Sequence, residues 1–368
     1  MKKILIFNSG SFLYGSERGL VNVVKALSEQ YDITVVLPQG GPLTALLRKL
    51  GAEVKLFPLS VLALSFSPFY YIWYVLLTII NVVYFSAYAF WHKVDIVYSN
   101  NSLLIFPCFV ARLSGKKHVW HLREFFHNLR VNKIIAALAL KFSSKIICQS
   151  NNIKSAYFPK DRNNIKVIYE GLDFDDYKKA PGDLRKELGI SQEATVLGIV
   201  SRIHPHKGQC EFVELAAPLL KTTRENTVLL IAGDISPATY RNRAYKNRLE
   251  KLIKENDLED KVHFLGFRED IKSIFSITDI AIFPFMRNEP FGLALLEGIA
   301  FSGKVLFNPN PGSDEIASFF KGNCGLLGSE ELKAAIEKKS IKKMKPDFPN
   351  IFLFKSYKEN MLSFMREV

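Results

Sequence analysis

Cysteine is scarce in this chain: Cys108, Cys148, Cys210 and Cys324 are four in 368 residues, and no two form a C-x-x-C pair. Such scatter excludes a disulfide framework and a cysteine-rich zinc site, and reads as reduced core thiols in a cytosolic protein. Glycine (21) and proline (16) are too few for a collagen-like or low-complexity polymer, and no tandem repeat of short period occurs. Acids are outnumbered, 36 against 49 Lys and Arg, leaving a formal charge of +13. That excess calls for an anionic partner: nucleic acid, a phosphorylated ligand or an acidic membrane face. Nucleic acid is disfavoured because no binding module or zinc-finger spacing is found. The start could imitate a secretory leader, but none is expected, since Ile4–Phe7 offers four apolar residues after two lysines where a signal peptide core needs ~7–15. The segment reads as a first β-strand.

With 48% hydrophobic and 23% charged residues, the chain is globular and long enough for two domains of ~100–200 residues each. Short apolar runs alternate with helical stretches: Ile4–Phe7, Ile33–Leu37, Val54–Phe57, Ile96–Tyr98, Val119–His121, Ile146–Cys148 and Val167–Tyr169. The rhythm restarts with Val196–Val200, Val228–Ile231, Val262–Leu265, Ile280–Phe283 and Val305–Phe307. Alternation of this kind predicts α/β architecture, two doubly wound parallel sheets covered by helices on both faces. The expected division is 1–170, a linker 171–182, 183–352, and a C-terminal helix 353–368 that returns to the first domain. Ligands of such sheets bind beyond the carboxyl ends of the strands, here in a cleft between the domains.

One segment, between Lys55 and Lys93, has no formally charged residue, and within 57–91 the run Pro68–Trp91 is 24 mostly apolar and aromatic residues. It is long enough to span a bilayer. A single crossing would put the strands before and after it on opposite sides of the membrane, although they must share one sheet, so a simple span is rejected. What remains is a helix or helical hairpin lying in the membrane interface, or an ordinary buried helix. Five Tyr and two Trp favour the interface, with Trp73, Tyr74 and Trp91 as contacts. From Cys108 to Lys166 twelve Lys and Arg accompany two acids, a basic face suited to an anionic bilayer.

Several loops could bind anions. After the first strand, Asn8-Ser-Gly-Ser-Phe-Leu-Tyr-Gly15-Ser16-Glu17-Arg18 leads into a predicted helix Gly19–Leu27, whose start offers backbone N–H groups to a phosphate. Arg202 and Lys207, in VSRIHPHKGQ, follow the strand Val196–Val200 and suit a clamp on two phosphates of a diphosphate. His204 and His206 between them read as loop polarity, because H-x-H alone does not make a metal site. In Glu289-Pro290-Phe291-Gly292-Leu293, Pro290 fits the first turn of a helix and Gly292 leaves its backbone open. Glu289 and Glu297 would then stand ~12 Å apart along that helix, too far for paired acid and base work but suited to two hydroxyl-rich groups of one elongated ligand. Gly298-Ile-Ala-Phe-Ser-Gly303-Lys304 imitates a P-loop, but Val305 replaces the magnesium-binding Ser or Thr and the glycines close a helix.

Together, the Gly15-Ser-Glu17-Arg18 loop, WHLRE around His121, VIYEGLD at 167–173, SRIHPHKG, IAGD at 231–234, VHFLGF at 262–267 and the E-x7-E block resemble glycosyltransferase family 4. The resemblance implies the GT-B fold and retaining transfer of a sugar from a UDP or GDP donor to a glycan or lipid-linked acceptor. It implies that Arg202 and Lys207 hold the donor diphosphate in place of a metal, so no metal or other cofactor is expected. Glu297 would grip the ribose, and Glu289 with the Phe291–Leu293 backbone the sugar. Gly15 and Ser16 would approach the phosphates, His121 the transferred sugar, and Gly266 and Phe267 the base. Two departures stand out: Glu170-Gly-Leu-Asp173 where the family usually has N-G-V/I-D, and Ser302-Gly-Lys304 in place of G-x-P. The expected setting is bacterial surface polysaccharide assembly on the cytoplasmic face of the membrane. A sugar-nucleotide epimerase or hydrolase, or a non-catalytic binder, are the alternatives.

Overall fold

The computed structural model describes all residues except 64–66, 127, 178–183, 223–225, 236–238, 321 and 338–346. Two compact units result, Met1–Leu172 with Asn350–Val368, and Asp173–Pro349. Gly171 and Leu172 thus belong to the first unit, and residues 178–182 of the expected linker lie outside the described residues.

In the first unit, strands β1 (Lys2–Phe7), β2 (Tyr31–Leu37), β3 (Glu53–Leu56), β4 (Ile96–Ser99), β5 (Lys117–Leu122), β6 (Lys145–Cys148) and β7 (Ile165–Val167) form one parallel sheet. Their order is β3-β2-β1-β4-β5-β6-β7. Helices α1 (Gly15–Leu27), α2 (Pro42–Lys49), α3 (Pro68–Trp91), α4 (Phe106–Ser114), α5 (Leu129–Phe142) and α6 (Asn151–Tyr157) connect the strands. Strand interiors such as Leu5, Ile6 and Phe7 are wholly buried because helices cover both faces. On one face Leu20, Val24 and Leu27 of α1 pack with Tyr357 and Met361, and on the other Phe7 meets Phe85 and Phe106 edge to face.

The second unit repeats the plan: β8 (Thr195–Val200), β9 (Thr227–Ala232), β10 (Val262–Gly266), β11 (Ile280–Phe283), β12 (Lys304–Phe307) and β13 (Cys324–Leu326), in the order β10-β9-β8-β11-β12-β13. Its helices are α7 (Leu184–Glu187), α8 (Gln209–Thr222), α9 (Tyr240–Glu255), α10 (Ile271–Ile277), α11 (Leu293–Phe301), α12 (Pro311–Ala317) and α13 (Ser329–Glu337). The last helix, α14 (Phe354–Arg366), packs on α1 in the first unit, where Leu172 N–H donates to the Phe352 carbonyl at 2.8 Å. Both sheets are doubly wound, with strand order reversing between β1 and β4 and between β8 and β11, the points where such folds place ligands.

Several boundaries differ from expectation. The seventh strand is Ile165–Val167, so Ile168 and Tyr169 already belong to the connection that follows, and α1 begins at Gly15 rather than Gly19. Strand β13 was not expected, since Cys-Gly-Leu has little apolar content of its own. Helix α3 has the predicted bounds, and it is not a buried helix. It seats on the sheet through a narrow stripe of Asn81, Phe85, Tyr88 and Ala89. Trp73 (61%) and Trp91 (75%) are exposed with Phe69, Ile72 and Val83, whereas Tyr74 is half-buried, its ring stacked 6.2 Å from Tyr70.

The first unit is pinned by a fully buried ion pair between Arg123 and Glu170. Removing one member leaves the other charged and desolvated, so Glu170→Ala is expected to lower the unfolding free energy by about 3–5 kcal/mol. Urea denaturation measures this directly; a loss under ~1 kcal/mol would mean that the pair contributes no more than a surface bridge.

Candidate active site

Residues expected to hold a donor gather at the carboxyl edge of the second sheet. Strand β8 ends at Val200, and the chain turns through Arg202, half-buried, to a short 3-10 turn Pro205–Lys207. Gly208 then takes a left-handed φ of 75°, and a Cβ there would stand 1.8 Å from the Pro284 carbonyl oxygen. Only glycine allows this approach, which lets Met286 N–H donate to the His206 carbonyl at 3.0 Å and holds the loop after β8 against the loop after β11. Lys207 Nζ consequently donates to Glu289 Oε2 at 2.5 Å and lies 4.8 Å from the Phe285 ring centroid. The His204 imidazole is held down at about 4 by burial and then by the positive neighbours His206, Arg202 and Lys207.

The Glu289 to Glu297 segment departs from expectation. Helix α11 begins at Leu293 with Gly292 as its N-cap, so Glu289 and Pro290 lie in the preceding loop and the ~12 Å helical separation does not apply. Glu289 N–H donates to Asn310 Oδ1 at 3.2 Å. Phe291, Gly292 and Leu293 are buried at the helix start, and Glu297, one turn in, is completely buried, which excludes a role as a surface carboxylate. Gly266 ends β10, its carbonyl accepting from Gly233 N–H at 2.7 Å, and Phe267 beside it is exposed.

Gly15, Ser16 and His121 belong to the first unit. Gly15 is exposed and opens α1 with Ser16 half-buried behind it. His121 is completely buried near the end of β5. Its Nδ1 lies 2.8 Å from the Tyr98 hydroxyl and 3.2 Å from an Arg123 guanidinium nitrogen. Guanidinium can only donate, so Nδ1 accepts and the proton sits on Nε2. Burial, followed by the Arg123 charge, pushes the imidazole well below its usual range and keeps it neutral. Nε2–H is buried and has no hydrogen-bond partner among the described residues. A neutral, oriented donor of this kind suits a sugar hydroxyl.

Sequence reasoning missed the polar cradle around it. Ser99, Asn100, Asn101 and Ser102 are four successive buried polar residues at the carboxyl end of β4, the strand-order switch of the first sheet. Asn100 donates to Asn8 Oδ1 at 2.8 Å, Arg123 Nε to Asn100 Oδ1 at 3.2 Å, and Ser102 N–H to Glu124 Oε2 at 3.1 Å. The available signal was the run SNNS directly after a strand at that edge. Among the described residues no group of three His, Cys, Asp or Glu is clustered as metal ligands would be.

Two family models divide the chain between them: "Glycosyltransferase Family 4" matches residues 14–176 and "Glycosyl transferases group 1" matches residues 182–347. The chain belongs to glycosyltransferase family 4. UDP-Gal:alpha-D-GlcNAc-diphosphoundecaprenol alpha-1,3-galactosyltransferase of Escherichia coli is 26% identical over 73% of this chain and 69% of its own length. Lipopolysaccharide 1,2-N-acetylglucosaminetransferase of Salmonella typhimurium is 25% identical over 60% of this chain, a match spanning 56% of that relative. Among solved structures, Anabaena HepE in complex with UDP and glucose covers all of both chains with a TM-score of 0.82 at 23% identity. WaaG, a glycosyltransferase involved in lipopolysaccharide biosynthesis, covers 99% of this chain with a TM-score of 0.67. The fold of this family 4 chain is therefore GT-B, and the expected architecture and enzyme class hold.

Burial pushes the Glu124 carboxyl up to about 7, with the Ser102 N–H opposing the shift. Between the ordinary carboxylate range and pH 7 the folded state then binds a proton that the unfolded state has lost, so this group makes stability fall as pH rises through that window. Glu124→Gln is expected to flatten the decline between pH 5 and 8 by about 1–2 kcal/mol in chemical denaturation; identical slopes in both proteins would show that Glu124 titrates normally.

Proposed function

We propose that this glycosyltransferase moves a sugar from a nucleoside diphosphate donor, UDP or GDP, to a hydroxyl of a glycan or lipid-linked acceptor, with retention of anomeric configuration, in bacterial surface polysaccharide assembly. The observation that carries the reading is the meeting of Lys207 and Glu289 beside the start of α11, with Arg202 on the same loop. The relatives' names support the substrate class: one uses UDP-Gal with a diphosphoundecaprenol-linked acceptor and another acts in lipopolysaccharide synthesis.

In this reading the bond from the anomeric carbon to the β-phosphate oxygen breaks as the acceptor oxygen bonds to that carbon on the same face, and the acceptor proton passes to the departing diphosphate. Arg202 and Lys207 neutralise the negative charge that develops there, the task a divalent cation performs in other transferases, so no metal is required. Glu289 and the N–H groups at the start of α11 hold sugar hydroxyls, Glu297 the ribose, and Gly266 with Phe267 the base. Gly15 and Ser16 serve the phosphates, and His121 Nε2–H serves a sugar hydroxyl.

Purified protein incubated with UDP- and GDP-sugars and a lipid-linked acceptor should transfer sugar in the presence of EDTA. Arg202→Ala and Glu289→Ala should each lower kcat/KM about 100-fold or more. Unchanged turnover in both would remove these residues from the site, and nucleotide release without any acceptor would favour a hydrolase.

The protein is further proposed to work as a peripheral enzyme on the inner face of the cell membrane, held by the exposed side of α3. Strands β3 and β4 flank α3 within one sheet, so the helix lies along the interface and does not cross it. In flotation with anionic vesicles, Trp73→Ser/Trp91→Ser should shift protein from the vesicle fraction to the soluble fraction. Equal flotation of variant and parent would return α3 to a purely structural role.

A further inference from the structure

The groove between α3 and α4 has a wholly apolar accessible lining, in which Ile79, Val82 and Val83 face Phe109 and Leu113 around about 380 Å3. Thr78 and Arg112 complete its lining, and Arg112 also lines a second hollow of about 450 Å3 together with Lys116, Lys117 and Lys141. No carboxylate lines either space. The four cations are exposed or half-buried, and among the described residues none makes an ion pair, whereas Lys145 nearby in the chain is paired with Glu367. The acid adjoining this edge, Asp95, is engaged: its carboxylate accepts the Lys3 N–H at 2.8 Å.

Position decides what these spaces can hold. Lys117 opens β5 while His121 lies near its end, four residues on, so the basic hollow lies ~13 Å along the strand from His121 at ~3.3 Å per residue. A ligand seated there is an anchor and not a reacting group. Four unpaired cations suit a phosphate. The apolar groove that shares Arg112 with them suits hydrocarbon, and a molecule with both properties is an anionic amphiphile.

We infer that the α3–α4 groove and the Arg112, Lys116, Lys117, Lys141 hollow together bind one anionic phospholipid of the bilayer, phosphate among the cations and upper acyl chain against Val82, Val83, Phe109 and Leu113. The inference deepens the peripheral-membrane reading and rests on it. Charge complementarity selects the bilayer as occupant: the cations of the hollow match anionic headgroups, and the exposed apolar residues of α3 extend the groove into a surface suited to acyl chains.

The test is flotation of the full chain with vesicles of equal parts phosphatidylglycerol and phosphatidylcholine, and with phosphatidylcholine alone. Each cation near an anionic surface contributes about fivefold in partitioning, so Lys116→Ala/Lys117→Ala should weaken binding to the mixed vesicles about 25-fold and leave binding to phosphatidylcholine nearly unchanged. Leu113→Asp should weaken both. The control Lys160→Ala/Arg162→Ala, exposed residues outside the hollow, should change binding less than twofold. Equal losses in the two double variants would overturn the site in favour of diffuse attraction, and complete displacement by millimolar inorganic phosphate would make it a small-anion site. If the parent protein floats with neither vesicle, the peripheral-membrane reading itself falls.

Discussion

The buried pair of Arg123 and Glu170 is the constraint on which the first unit's geometry depends. Neither side chain reaches solvent, and the desolvation this entails is offset only because almost every polar atom of the pair is engaged. Glu170 Oε2 accepts from Asn22 of α1 at 2.9 Å, while Arg123 donates to Asn100 after β4 and to His121. Helix α1 comes so close that a Cβ on Gly19 would stand 2.2 Å from the guanidinium. One cation thus fixes α1, the ends of β4 and β5, and the segment leaving β7. It also fixes the tautomer of His121, and so converts a structural interaction into a chemical property of the cradle. Glu170 replaces the usual asparagine of the family's linker motif, and here it supplies the carboxylate that allows Arg123 to be buried.

The two units use the same strand order but furnish their switch points differently. In the first, amides, hydroxyls and a neutral imidazole surround the strand ends, a chemistry matched to uncharged sugar hydroxyls. In the second, Arg202, Lys207 and a helix start supply positive potential, matched to a diphosphate. Lys207 is restrained by Glu289 and by the Phe285 ring, so its ammonium is preorganised at the strand edge instead of sampling solvent.

Much of this was legible in the sequence. Alternation of apolar runs located twelve of the strands because parallel strands buried on both faces are apolar throughout. The three residues of β13 carry no such run. Helix α3 was readable to the residue, since its proline start and loss of apolar character after Trp91 are local signals. The candidate site was legible as motifs but not as geometry. Nothing local shows that Gly208 must touch Pro284, or that this contact delivers Lys207 to Glu289. The helix after β11 was placed too early because Pro290 is a sound first-turn residue, yet the left-handed Gly292 breaks the chain direction and starts the helix at Leu293. Asn100 escaped notice, and Glu124 and Glu170 entered only as members of motifs, because their importance lies in where the fold encloses them, which a polar residue does not advertise.

Helix α3 also shows why exposure can be informative where composition is not. A 24-residue apolar helix is as compatible with a core as with a lipid surface. A core helix, however, buries most of its circumference, whereas α3 seats only the Asn81, Phe85, Tyr88 and Ala89 stripe, with Asn81 hydrogen-bonded to Ser60 N–H and the Pro58 carbonyl. Those two bonds and the Phe7, Phe85 and Phe106 ring cluster hold the helix along the sheet, leaving Trp73, Val83, Phe90 and Trp91 exposed. Because β3 and β4 sit in the same sheet, nothing short of breaking the fold could turn α3 across a bilayer, so an apolar solvent that covers it must meet it side-on.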